Sequence, residues 1–517
     1  MSLKTIIKNN KILYAVCKPL AKYPLELYRK LRTKYGENKH AFIPETPVGA
    51  EVIPQIVLQK QFDSRELFFQ ENSVEGFNRF DIIVRLLAIE NFYEKNDFGF
   101  DLYKKMQTAR MGKDWTMPAV ERFKALIASY HSNGYDRNSA ITIDSELRLQ
   151  DGSHRMALSM FFKKYWITAV VQNEVHPVAY GMEWFIENDF TDHEMKLVSE
   201  RYSTLKGEIN QLFVCTLWSS VSEFFDDIVK DLEKLANVVS YKDYVFSDDE
   251  YRHIVYSVYS VDDIEQWKVD KKLEYMNLGA AESGTHSVRI VNLLLDAPDF
   301  RLKDSTKNTL SMRCEKIKRI IRNKYKAKIS NYFYDIILHI GDNFYQNAYI
   351  RFLFDSVPDT PQFLQDRRNI SQFIMNKRYK EPKRNEMTKR LDAMLPLLQS
   401  WCDKEKIALD KICIVGSSVL SCYGIRENHD IDLVMTSDIR NRYGNGTAAL
   451  LDGIELVSEN WARSRFYEVI PDDELIANSN LHFIYQGFKF ANLDLLFERK
   501  LWQRRDKDCE DILRIIT

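Results

Sequence analysis

The chain has no Cys-x-x-Cys pair, and its seven cysteines are scattered at 17, 215, 314, 402, 413, 422 and 509. An odd and unpaired set excludes a disulfide framework and a cysteine zinc site, and fits reduced thiols. No apolar run approaches the ~18–20 residues of a membrane span, and no signal-peptide cleavage pattern is visible. Neither sign of charge is in excess: 73 Lys+Arg against 74 Asp+Glu leave a net charge of −1. Nucleic-acid binding, which calls for a basic face, is therefore not favoured. Glycine (18) and proline (13) are sparse, and no repeat or low-complexity tract is visible, which argues against extensive disorder. The expectation is a soluble, cytoplasmic protein.

The 517 residues are 45% hydrophobic and 28% charged, enough for three or four globular domains. Strand and helix signals alternate, so the expected class is a multidomain α/β and α+β protein. Residues 1–45 read as a basic amphipathic leader, with Lys4, Lys8, Lys11 and Lys18 interleaved with Ile6, Ile7, Ile12 and Leu13. Such a segment either contacts an anionic membrane face over residues 1–35 or packs on its own protein with a solvated basic side. Residues 46–205 form the next expected domain and 206–354 a central α/β domain. Residues 355–387 read as a linker or helical hinge, with three prolines and a run of basic residues, and 388–517 as the last domain.

That last domain carries the strongest motif. Ile414-Val415-Gly416-Ser417-Ser418 reads as a strand ending in a Gly-Ser turn, and a dozen residues later Asp430-Ile431-Asp432-Leu433 reads as a second strand. Alternation puts Asp430 and Asp432 on one face and Ile431 and Leu433 in the core. Two carboxylates held that close repel unless a cation lies between them, which suits Mg²⁺. The turn offers backbone N–H groups to a phosphate tail. Asn492-Leu493-Asp494-Leu495-Leu496 places a third acid on what reads as another apolar strand. Over residues 388–517 this layout resembles the nucleotidyltransferase superfamily. The resemblance implies that Asp430, Asp432 and Asp494 bind Mg²⁺ and are catalytic, and that Gly416 and Ser417 grip a nucleoside triphosphate such as ATP or CTP.

A second motif is Leu149-Gln150-Asp151-Gly152-Ser153-His154-Arg155. A strand runs into an Asp-Gly turn, and a helix is expected to start with Ser153 as its N-cap. Free N–H groups with His154 and Arg155 in the first turn favour a phosphate. From about Val120 to Asn173 the pattern is similar to the ParB/sulfiredoxin-like fold. That resemblance implies nucleotide binding by Asp151, Gly152, Ser153, His154 and Arg155. The sulfiredoxin cysteine is replaced by Ser153, which disfavours sulfinic acid reduction.

A weaker cluster ends the expected strand Tyr334–Ile340, where His339, Gly341 and Asp342 stand at a strand terminus in an α/β domain. The upstream helix bears Lys316, Lys318, Arg319, Arg322 and Lys324, either to neutralise a phosphorylated substrate or simply as a solvated face.

Together the resemblances imply Mg²⁺-dependent nucleotidyl transfer to a small sugar- or polyol-phosphate-like acceptor, with a second, ATP-dependent kinase activity, in surface-polysaccharide biosynthesis. Two alternatives remain: a small-molecule kinase whose nucleotidyltransferase-like domain is not catalytic, and a non-enzymatic nucleotide-sensing regulator.

Overall fold

The computed structural model describes residues 56–71, 79–134, 139–173, 180–276, 284–304, 307–330, 332, 334–360, 370–444, 446–463 and 469–517. The basic leader and its membrane contact lie outside the described residues. The chain is a mixed α/β protein, with 19 α-helices among the described residues, and divides into two compact units, Met1–Ile209 and Asn210–Thr517. No described helix is long and apolar enough to cross a membrane.

The first unit is built on a four-stranded sheet of β1 (Ile56–Asp63), β2 (Ile141–Asp144), β3 (Leu149–Asp151) and β4 (Trp166–Gln172), in the order β1-β4-β2-β3. Helix α1 (Ser64–Glu71) follows β1, and α2 (Phe80–Phe92), α3 (Gly99–Met111) and α4 (Lys113–Asn133) separate it from β2. Every residue of α2 from Phe80 to Ile89 is buried. A helix apolar on all sides belongs inside a core, so the two charged side chains it carries, Asp81 and Arg85, must find partners there. Helix α5 (Ser153–Phe161) leaves β3 through Gly152, whose φ of +108° and contact with Ile141 exclude a side chain; a Cβ would lie 2.4 Å from Ile141 Cγ2. Gly152 is thus the N-cap, and Ser153, expected there, is the first helical residue. Helices α6 (Met182–Glu187) and α7 (Asp192–Ile209) complete the unit.

The second unit holds two sheets. The first has the antiparallel order β10-β5-β7-β6, from β5 (Phe213–Leu217), β6 (Asn237–Ser247), β7 (Thr285–Leu294) and β10 (Leu338–Ile340); a hairpin of β8 (Phe300–Leu302) and β9 (Thr309–Ser311) stands apart. All five residues of β5 are buried, as expected of a central strand. The strand expected over Tyr334–Ile340 is shorter, because Tyr334 has φ of +55°, outside the β region. The helix expected over Val221–Leu235 opens as a 3-10 turn, Ser219–Phe224, before α8 (Phe225–Glu233). Helices α9 (Asp248–Tyr259), α10 (Gln266–Met276), α11 (Met312–Tyr325) and α12 (Phe344–Ser356) pack around this sheet. β6 is an edge strand, with Val239 and Tyr241 exposed and a register shift between Val238 and Ser240.

The second sheet runs β13-β14-β12-β11-β16-β15. Its strands are β11 (Ile412–Val415), β12 (Ile431–Met435), β13 (Ala448–Leu451), β14 (Ile454–Leu456), β15 (His482–Tyr485) and β16 (Phe488–Ala491). Helices α13 (Ile370–Arg378) and α14 (Lys389–Glu405) precede it; α15 (Ser417–Cys422), α16 (Ser437–Arg440) and α17 (Asp472–Ala477) lie within it, and α18 (Leu493–Gln503) and α19 (Asp506–Ile516) close the chain. Helix α13 falls inside the expected hinge, buries Ile370, Ile374 and Met375, and hydrogen-bonds through Ser371 to Glu498 of α18.

Candidate functional sites

In the first unit a cleft of about 440 Å³ is lined by Arg79, Arg85, Arg110 and Arg122 together with Ser153 and His154. Arg79 donates from Nε to Asp81 Oδ1 at 2.7 Å and from Nη2 to Ser153 Oγ at 2.9 Å, while Arg85 Nη1 reaches Asp81 Oδ2 at 2.9 Å. Burial works against the Asp81 charge, but Arg79 and Arg85 hold its carboxyl well below the usual range. One acid is thus shared between two guanidiniums. Burial and the nearby Arg110 push Arg85 down to about 10. The Nε atoms of Arg85 and Arg110 are buried with no hydrogen-bond partner among the described residues.

His154 faces the same cleft. Its Nε2 pairs with Tyr103 Oη at 2.8 Å and its ring packs edge-on to Phe123. Burial, followed by Arg85 and Arg110, lowers its pKa well below the ordinary value, so it stands as neutral imidazole. The motif's other cation points elsewhere. Arg155 Nη1 donates to the carbonyls of Ser139 and Ala140, and its Nη2 lies 3.6 Å from the exposed Asp151. It clamps the loop into β2 to the helix start, and the guanidiniums facing the cleft come from residues upstream. Sequence reading missed those. The signal for Arg85 was a charge set four residues after Asp81 inside an otherwise apolar helix.

In the second sheet of the second unit, β11 ends at Val415 and Gly416 turns with φ of +69°. A Cβ on Gly416 would stand 2.3 Å from Asp432 Oδ2, so only glycine lets the turn lie against that carboxylate. Ser417 Oγ is 3.5 Å from Asp430 Oδ1, and Ser418 Oγ and Asn428 Nδ2 both donate to the Asp430 carbonyl, at 3.1 and 3.0 Å. The expected pair is therefore brought to the expected turn. Burial, Asp430 and Glu455 raise the Asp432 carboxyl to about 6, against the pull of Lys507 and Arg505.

The third acid differs from expectation. Asp494 lies in the first turn of α18, not on a strand; the strand is β16, which ends at Ala491. Asp494 is buried, and burial together with Glu498 pushes it up to about 7. The acid in register with the pair is Glu455, which stands opposite Asp432 on the parallel neighbour β14. Its sequence signal was the apolar-acid-apolar triplet Ile454-Glu455-Leu456. Among the described residues no three His, Cys, Asp or Glu side chains form a ready-made metal cage. The donor set is nonetheless all hard oxygen with surplus negative charge, and Mg²⁺ is typically held by one or two carboxylates with substrate phosphates and water. The residues fit that ion.

The weaker cluster is buried charge. His339 Nδ1 lies 3.5 Å from Asp262 Oδ2, and Asp342 accepts from Lys318 Nζ at 3.0 Å. Burial and Asp342 raise Asp262 to about 7, and burial with Lys318, Arg322 and Lys272 holds His339 neutral. On helix α11, Lys318 turns inward to Asp342 and Glu315, Lys324 pairs with Asp231, and Lys316 and Arg319 are solvated.

No protein-family model matches the chain, and neither the curated proteins nor the solved structures yield a match to it.

Proposed function

We propose that the chain is a Mg²⁺-dependent nucleotidyltransferase whose last domain, residues 388–517, transfers a nucleotidyl group from ATP or CTP to a small sugar- or polyol-phosphate-like acceptor. The observation that carries this reading is the packing of Gly416 against Asp432, with Asp430 beside it and Glu455 opposite. Asp430 and Asp432, with Glu455 rather than Asp494 as third acid, would hold the ion. When bound, Mg²⁺ would neutralise charge on the reacting phosphates. The protein's own part is positional: β11 and β12 fix the turn against the acids, and Ser418 and Asn428 fix the backbone at Asp430. The first unit adds a second reading, phosphate or nucleotide binding in a ParB/sulfiredoxin-like domain, supported by the four guanidiniums around His154. A kinase step there would supply a phosphorylated acceptor.

The test is incubation of the full-length protein with each nucleoside triphosphate and Mg²⁺, scoring pyrophosphate against nucleoside diphosphate. Pyrophosphate release abolished by Asp430→Asn with Asp432→Asn is the expected result. Full activity in that double variant rejects the assignment.

A further inference from the structure

Trp502, at the end of α18, is 37% exposed and has two guanidiniums against its ring. Arg463 Cζ lies 4.5 Å from the ring centroid and Arg499 Cζ 5.8 Å. Arg499 also lies 5.3 Å over Trp461 and donates from Nη1 to the Trp461 carbonyl, and Arg463 Nε reaches the Asn460 carbonyl at 3.5 Å. Neither pairs with a carboxylate among the described residues. Arg505 binds Asp508, at 2.7 Å from Nε, but Asp508 is shared with Lys500 at 3.0 Å. The next acid, Asp511, is taken by Arg426 and Lys500. Arg463 and Arg499 are thus held by tryptophan rings and backbone carbonyls, while Arg505 shares Asp508 with Lys500. Burial, Arg463 and Arg505 together push the Arg499 guanidinium down to about 10, against the pull of Asp508 and Asp472. Arg505 and the exposed Lys507 act on the Asp432 carboxyl as well, which turns the Arg505 end of the cluster toward the acid pair.

We propose that Arg463 and Arg499, held against Trp502, form together with Arg505 a phosphate-dianion site that orients a phosphorylated reactant for Asp430 and Asp432. The inference rests on the nucleotidyltransferase reading for its role, not for its existence. Guanidiniums offer paired donors matched to phosphate oxygens, and the Trp502 ring holds Arg463 and Arg499 by its face, which leaves N–H groups of both to spare. The dianion has two sources, the acceptor's own phosphate and the tail of the nucleoside triphosphate.

Calorimetry on the full-length protein separates them. In an Arg110→Gln, Arg122→Gln background, which silences the cleft of the first unit, inorganic phosphate should bind. Adding Arg463→Gln and Arg505→Gln should weaken it at least about tenfold, the loss of one or two charge-assisted contacts. Replacing the same two by Lys should retain part of the affinity, because charge persists without the fork. If the site serves the acceptor, affinity for Mg-ATP and Mg-CTP stays unchanged in the Gln variant; if it serves the nucleotide tail, that affinity falls by the same factor. No phosphate binding in the background protein, or binding unchanged in a Gln variant with normal circular dichroism, overturns the proposal. Phosphate binding that persists in a protein releasing no pyrophosphate would instead count against the nucleotidyl reading alone.

Discussion

Asp432 and Glu455 stand opposite each other in register on the parallel strands β12 and β14. Partners in register share a face of the sheet, so the Glu455 carboxylate adds to the cost of ionising Asp432 and faces the same side of the sheet.

Glu455→Gln should therefore cut pyrophosphate release at least about tenfold, as expected when a charged contact to the reacting centre is lost. Its fold should be unaffected, because Glu455 is exposed. Wild-type turnover in this variant would return the role of third acid to another residue.

Asp494→Asn should behave in the opposite way. The native carboxyl titrates at about 7, above its ordinary range, so the folded chain holds the proton more tightly than the unfolded one. Stability contributed by this group is full below the unfolded value, near 4, and is lost as pH rises through about 7. The Asn variant should gain roughly 1–3 kcal/mol at pH 8 and almost nothing at pH 4, measured by urea unfolding. Equal gains at both pH values would assign the effect to packing.

Removing Asp81 should be severe. Asp81→Asn takes from the buried Arg85 the carboxylate it shares with Arg79, a loss of about 3–5 kcal/mol. Because the cleft beside them is lined by guanidiniums, phosphate at about 50–100 mM should restore part of it. Denaturant midpoints with phosphate and with chloride at matched ionic strength give the comparison. A midpoint that does not respond to phosphate would argue against an anion site.

Gly416→Ala should separate folding from function. The new methyl meets the Asp432 carboxylate at a backbone angle that disfavours side chains, a strain of about 1–3 kcal/mol. The protein should remain folded, with Asp432 displaced and pyrophosphate release lost. Retained release would show that the turn need not approach the acid.

Arg110→Gln should weaken phosphate or nucleotide binding by the first unit about ten- to a hundredfold, whereas Arg155→Gln should change it little. Arg155 spends its donors on the carbonyls of Ser139 and Ala140. Calorimetry on both variants decides which arginine faces the ligand.

What the sequence made legible was local. The Gly416 and Gly152 turns, the helices after them and the Asp430–Asp432 alternation depend on neighbouring residues, and each stands where it was expected. Asp494 was misplaced because a short apolar run bounded by one polar residue fits a strand or the start of a buried helix equally well. Glu455 was overlooked because a lone acid between two apolar residues has meaning only once its strand is known to adjoin β12. Arg85 went unseen for the same reason: periodicity marks α2 as core, and only the packing reveals that Arg85 opens onto a cleft with Arg79 before the helix and Arg110 on α3.

Strand β6 carries a consequence for handling the protein at high concentration. Over Asn237–Asp243 one side of its backbone has no strand neighbour among the described residues, so it presents a template for a strand from a second molecule. At its far end the site is already filled, since Val245 N donates to the Asp359 carbonyl. The open stretch bears Val239 and Tyr241, but also Lys242, Asp243 and a break in register, which set charge and a twist against an incoming chain. Solubility here thus hangs on a few polar positions, and replacing Lys242 and Asp243 by valine should turn this margin into a nucleus for aggregation.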